Sequence, residues 1–119
     1  MSPRRPGPPA HLDPTTKYPS HEAKRTADLL PYVNRPVATL TDAVETITRG
    51  KMRDEVKQAL LLDAVREAMS QLDEARRIVA EYAVLHGKSL AVVAANLDVS
   101  HTQVGKWYHN PLPLDELRD

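Results

Sequence analysis

A chain of 119 residues with 41% apolar and 27% charged residues has ordinary globular usage and room for one domain, or for a smaller domain with a tail. It has no cysteine, which excludes disulfides, thiolate metal sites and a cysteine nucleophile and fits a reducing cytosol; no apolar run nears the ~20 residues that cross a bilayer. The net charge of +0 hides an imbalance, because residues 1–53 carry nine Lys/Arg against five acids, and residues 54–119 carry seven against eleven.

Phosphate contacts normally supply most of the affinity for nucleic acid, so this balance argues against strong non-specific binding while leaving a basic N-terminal half that can act as an arm. Arg4 and Arg5 have no apolar run behind them and do not read as a secretory signal. With no Phe, one Trp and four Tyr, the core falls to Leu, Val, Ala, Met and Ile, a mix suited to helices.

Eight of the ten prolines lie in residues 1–36, which predicts a disordered, basic, Pro-rich arm, with a short helix from about Ser20 to Leu30 that Pro31 would stop. Thr39-Leu-Thr-Asp42 has the capping-box form and opens a predicted helix to about Arg49, ended by Gly50. Asp54 opens a helix over 54–69 whose apolar residues wrap well over half its circumference. Such a helix has to be covered on two sides: one by the C-terminal helices, the other by the 39–49 helix, a second subunit, or both. The dimer expectation rests on Val56, Leu60, Leu61 and Val65.

Ser70-Gln-Leu-Asp73 is another capping-box match and predicts a fresh helix with Leu72, Ala75, Ile78, Val79, Tyr82 and Leu85 on one face, closed by a left-handed Gly87. Ser89 caps a short helix to Leu97, and Ser100 caps another that ends before Pro111, followed by a short acidic tail over 111–119. No strand-period alternation competes. The expected fold is all-α: a small helical bundle with a C-terminal helix-turn-helix over 70–110, a packing or dimerisation element over 37–69, and the arm before it.

The helix-turn-helix expectation comes from residues 89–109. Ala94 is the small residue that lets two short helices cross closely, Val93 and Leu97 flank it, Val99 plugs the turn, and Val104 and Trp107 form the inward face of the second helix. Apolar spacing alone would also serve a plain helical hairpin; the joint occurrence of two caps with Ala94, Val99 and Val104 favours the DNA-binding arrangement. By elimination His101, Thr102, Gln103, Gly105, Lys106 and His109 point outward, where Gln103 can pair with adenine, Lys106 suits a phosphate or guanine, and Thr102 a phosphate or a thymine methyl. Ser100 offers a hydroxyl at a helix N-terminus that also favours phosphate. Trp107 reads as core rather than as a base-stacking residue.

Ala68-Met-Ser-Gln-Leu72, Arg76-Arg-Ile-Val79, His86-Gly-Lys-Ser-Leu90, Val93-Ala94, Leu97-Asp-Val-Ser100 and Val104 together resemble the fourth region of bacterial sigma factors. The resemblance covers about residues 65–109 and implies that residues 100–109 form a recognition helix in the major groove, with Lys88 and Ser89 near the phosphate backbone. It departs at Asp98, where that family usually has Gly. The chain also has no room for a promoter-melting region, so a stand-alone regulator fits better than a sigma factor.

These readings converge on sequence-specific binding of double-stranded DNA by a dimeric transcriptional regulator of a bacterium or mobile element, cytoplasmic and nucleoid-associated. The alternative is a protein-interaction module on the same scaffold, such as an antitoxin or an RNA polymerase-binding adaptor. No enzyme, cofactor or metal site is expected. His101 and His109 are eight apart, Asp54-Glu55 and Asp73-Glu74 sit at predicted helix starts where acids suit the dipole, and no phosphate loop or nucleophile motif appears.

Overall fold

The computed structural model describes residues 12–118, and every regular element among them is helical. The first eleven positions of the expected arm lie outside the described residues. The elements are α1 (Pro19–Glu22), a 3-10 turn (Thr26–Leu29), α2 (Leu30–Arg49), α3 (Asp54–Leu85), α4 (Leu90–Leu97), α5 (His101–His109) and a last 3-10 turn (Leu114–Glu116).

α2 begins nine residues before the predicted start. Pro31 opens it instead of stopping a preceding helix, because a proline in the first turn lacks only an N–H that has no helical partner anyway. The expected 20–30 helix is correspondingly reduced to α1 and the 3-10 turn. Pro36 lies inside α2, where it removes one backbone bond, and is buried. Thr39 does not cap a helix; its hydroxyl donates to Gln71 Oε1 at 2.7 Å across the α2–α3 contact.

Gly50 ends α2 in an extended conformation, φ −81° and ψ 146°, rather than a left-handed one. Its requirement is space: a Cβ there would stand 2.7 Å from Met52 Cε and 2.9 Å from the Thr46 carbonyl oxygen.

The largest departure from the sequence reading is α3. It runs unbroken for 32 residues through Ser70-Gln-Leu-Asp73, so the expected boundary between 69 and 70 falls inside one helix. No Gly or Pro interrupts residues 54–85, and continuing the helix keeps backbone bonds that a new N-terminus would forfeit. At 1.5 Å per residue α3 is about 48 Å long and spans most of a molecule measuring 65 × 31 × 23 Å.

The two halves of α3 serve different partners. The first half pairs antiparallel with α2 through small or neutral residues: Pro36, Thr39 and Ala43 against Ala64, Ala68 and Gln71. Within the chain only α2 covers it: the expected contact with the C-terminal helices falls on the second half instead, and Val56, Leu60, Leu61, Leu62, Val65 and Met69 are all exposed. The second half carries two cores. Ala80 and Val84 pack with Val93, Ala94, Val104, Trp107 and Tyr108 of α4 and α5. Ile78 packs with Ala23, Leu29 and Leu112, drawn from both ends of the chain.

Residues 18–29 are therefore no free arm, and the tail docks as well. Leu114 N donates to the Lys17 carbonyl at 2.8 Å, and Arg118 N donates to both oxygens of Glu74 at 3.2 and 3.0 Å. On the predicted face of residues 72–85, Ala75 and Ile78 are buried, but Leu72 is 56% exposed because it lies beyond both cores.

Candidate nucleic-acid interface

Two helix ends built alike frame α4. At the end of α3, Gly87 N–H donates to the Val84 carbonyl (3.0 Å) and Lys88 N–H to the Ala83 carbonyl (2.9 Å), with Gly87 at φ 106°. The end of α4 repeats the pair: Asp98 N–H to Ala95 (3.4 Å) and Val99 N–H to Ala94 (3.1 Å), with Asp98 at φ 55° and ψ 45°. This is the double bond pattern of a left-handed helix terminus, in which the residue after the left-handed one packs back on the helix. Val99 does so, half-buried against the α4–α5 core. Asp98 takes the left-handed place with a side chain that tolerates it better than most.

Both short helices start on a serine. Ser89 Oγ accepts from Val92 N at 3.1 Å and Ser100 Oγ accepts from Gln103 N at 3.0 Å. Three residues, Asp98 to Ser100, thus separate α4 from α5, with the Asp98 and Val99 N–H groups bonded back to α4 and the Ser100 carbonyl accepting from Val104 N–H.

Inside this unit Val104 is fully buried, Val93 and Ala94 are nearly so, and Trp107 is 8% exposed. The Arg76 guanidinium lies over the Trp107 ring, 5.2 Å from its centre, a cation–π arrangement that covers one face of the ring from α3. Tyr108, which the sequence reading did not count as core, is also buried, and burial pushes its phenol above the ordinary value. Arg77 Nη2 donates to the Asn110 carbonyl at 2.6 Å, placing a cation at the C-terminal end of α5, where the helix dipole favours it.

With those side chains inward, Thr102, Lys106 and His109 form a row on the opposite side of α5, all exposed, and His101 is exposed at its first residue. Gln103 is half-buried on one flank of the row. Gly105 is half-buried on the other, where a Cβ would meet Leu90 Cδ1 at 3.8 Å; it faces the start of α4 rather than open solvent. Lys88, Ser89 and Ser100 are exposed at the starts of the two helices. Of the nine residues singled out from the sequence, six lie on α5, Ser89 and Ser100 cap α4 and α5, and Lys88 directly precedes Ser89. Residues 88–110 hold Lys88 and Lys106 against one acid, Asp98, so the unit is mildly basic in a chain that is neutral overall.

The sequence reading missed a buried carboxylate. Glu81 is 1% exposed and accepts from Ser20 Oγ at 2.8 Å and from Leu112 N at 3.3 and 3.2 Å, with Arg77 Nε at 3.5 Å. Loss of solvent outweighs these contacts and raises its pKa from 4.5 to about 7. Its only sequence signal is its position three residues after Ile78 on a face that is otherwise apolar. The cluster ties α1, α3 and the C-terminal segment together.

Among the described residues no three His, Asp or Glu side chains gather closely enough to hold a metal ion, and no helix is long and apolar enough to cross a membrane. The chain matches no family model, no curated protein and no solved structure with which it was compared.

Proposed function

We propose that the chain binds duplex DNA in a sequence-specific manner, with α4 and α5 acting as a helix-turn-helix and α5 entering the major groove. The observation that carries this reading is the split of α5: Val104, Trp107 and Tyr108 are buried, while Thr102, Lys106 and His109 stand in one exposed row with Gln103 at its edge. A helix held on its own core with short polar side chains and a cation outward suits base edges and phosphates. Lys88, Ser89 and Ser100 sit at helix starts, where N–H groups and a cation favour phosphate. The resemblance of residues 65–109 to the fourth region of bacterial sigma factors supports the same assignment, and a transcriptional regulator is the role it suggests.

Selection of bound duplexes from a random pool tests this, followed by gel shifts across salt. The wild-type chain is expected to enrich a recurrent sequence. Gln103→Ala is expected to relax preference at one position by about 1–3 kcal/mol, and Lys106→Ala to lower affinity for all sequences and to reduce the salt slope by about 1. Failure to enrich any sequence would overturn the reading and leave the protein-docking alternative. The same enrichment by a Gln103→Ala/Lys106→Ala variant with unchanged helicity would show that α5 is not the reading helix.

A further inference from the structure

We infer that the exposed aliphatic side of the α2–α3 hairpin is the docking face for a second copy of this chain, so that two hairpins close into a four-helix bundle. The inference does not depend on DNA binding.

Along α2, Leu30, Val33, Val37, Leu40 and Val44 recur at intervals of three and four and are 38–60% exposed. Along α3, the adjacent Leu61 and Leu62 are followed at intervals of three and four by Val65, Met69 and Leu72, and the five are 41–72% exposed. This is the spacing of helices that pack at shallow angles in bundles and coiled coils. At 100° per residue, each row is displaced by roughly 100° in the same rotational sense from the face that joins α2 to α3. The two helices run antiparallel, so the rows emerge on the same side of the hairpin and make one continuous surface. Val56 and Leu60, expected at a dimer contact with Leu61 and Val65, project to the opposite side.

The surface is of the right size for a self-complementary contact. A fully exposed aliphatic side chain offers on the order of 60–120 Å² of apolar area, so ten at about half exposure offer roughly 300–600 Å². Because about 56–65% of an interface is apolar, the whole face comes to roughly 500–1,000 Å², against about 800 Å² per partner in stable complexes.

Its charge pattern selects the occupant. The four charged residues of α2, Arg35, Asp42, Glu45 and Arg49, project away from the row. On the rim of α3, Arg66 pairs with Asp63 at 3.4 Å and Arg76 with Asp73 at 3.0 Å. Neither a nucleic acid nor an anionic lipid surface finds unpaired cations here, and no excess of one sign calls for a partner of the other. A neutral, two-helix aliphatic face is matched best by itself about a two-fold axis.

The test is the mass of the full chain by sedimentation equilibrium from low to high micromolar concentration, with helicity as the folding control. The expected mass is twice 13.3 kDa. Val37→Glu and Val65→Glu, both at exposed positions, are expected to raise the dimer dissociation constant on the order of a hundredfold or more while helicity stays unchanged, because an unpaired charge would be buried twice in a symmetric contact. Val56→Glu, on the other side, is expected to leave the mass doubled. A chain of 13.3 kDa throughout the concentration range would overturn the proposal and assign the face to a different protein. A dimer that survives both row variants, or that Val56→Glu dissolves, would overturn it as well.

Discussion

Replacing Glu81 by glutamine removes a titration from the centre of the scaffold while keeping the size of the side chain and an oxygen to accept from Ser20. In the folded chain the carboxyl pKa is about 7 against 4.5 for the free group, a difference that corresponds to about 3 kcal/mol at 1.36 kcal/mol per unit. The pKa is raised, so between these values the folded state holds a proton that the unfolded chain releases. The contribution is complete below about pH 4.5 and is lost as the pH rises through about 7. His21 acts in the opposite sense: burial lowers its pKa, so its contribution is present above the ordinary 6.5 and is lost as the pH falls. The wild-type curve is therefore a difference of the two, and comparison with Glu81→Gln isolates the carboxyl. Urea unfolding at about pH 5 and about pH 8 is expected to show the wild type losing most of ~3 kcal/mol relative to the variant. The variant's own offset, from the amide nitrogen facing Leu112 N–H and Arg77, is the same at both pH values. Equal pH dependence in the two proteins would refute a carboxyl buried at the cost of its charge.

Two further substitutions test the unit formed by α4 and α5. Asp98→Gly at φ 55° removes a left-handed strain of about 1 kcal/mol and is expected to raise the melting temperature by roughly 4 °C, whereas Asp98→Val is expected to lower it; scanning calorimetry reads both. Trp107→Ala takes a ring that is 8% exposed out of the core shared by α3, α4 and α5, and is expected to cost about 3–5 kcal/mol in urea unfolding.

The limits of α4 and α5 were legible because their signals are local. Ser89 and Ser100 satisfy nearby N–H groups, and Gly87 and Asp98 adopt positive φ within the turns they close, so a few residues decide each boundary. Ser70 carries the same local pattern as a cap, yet α3 runs through it, since the neighbouring α2 and the second-half cores reward an unbroken helix and no residue there breaks one. Pro31 reads equally well as a stop or as a first-turn residue; the burial of Leu29 and Pro36 decides it, and burial depends on distant segments. Glu81 was illegible for the same reason, as its partners Ser20 and Leu112 are 61 and 31 residues away. The apolar excess of residues 54–69 was visible, but its division into a joined side and an open side required the direction of α2.

Because α3 crosses from the hairpin to the α4–α5 unit without a joint, the two ends share one angular phase. An extra residue in its middle would turn α5 by about 100° about the rod relative to the aliphatic face and advance it 1.5 Å, whereas seven extra residues would return it to within about 20°. Length changes in this helix are thus steps on a dial, tolerated in heptads and disruptive singly, even at positions whose own side chains touch nothing.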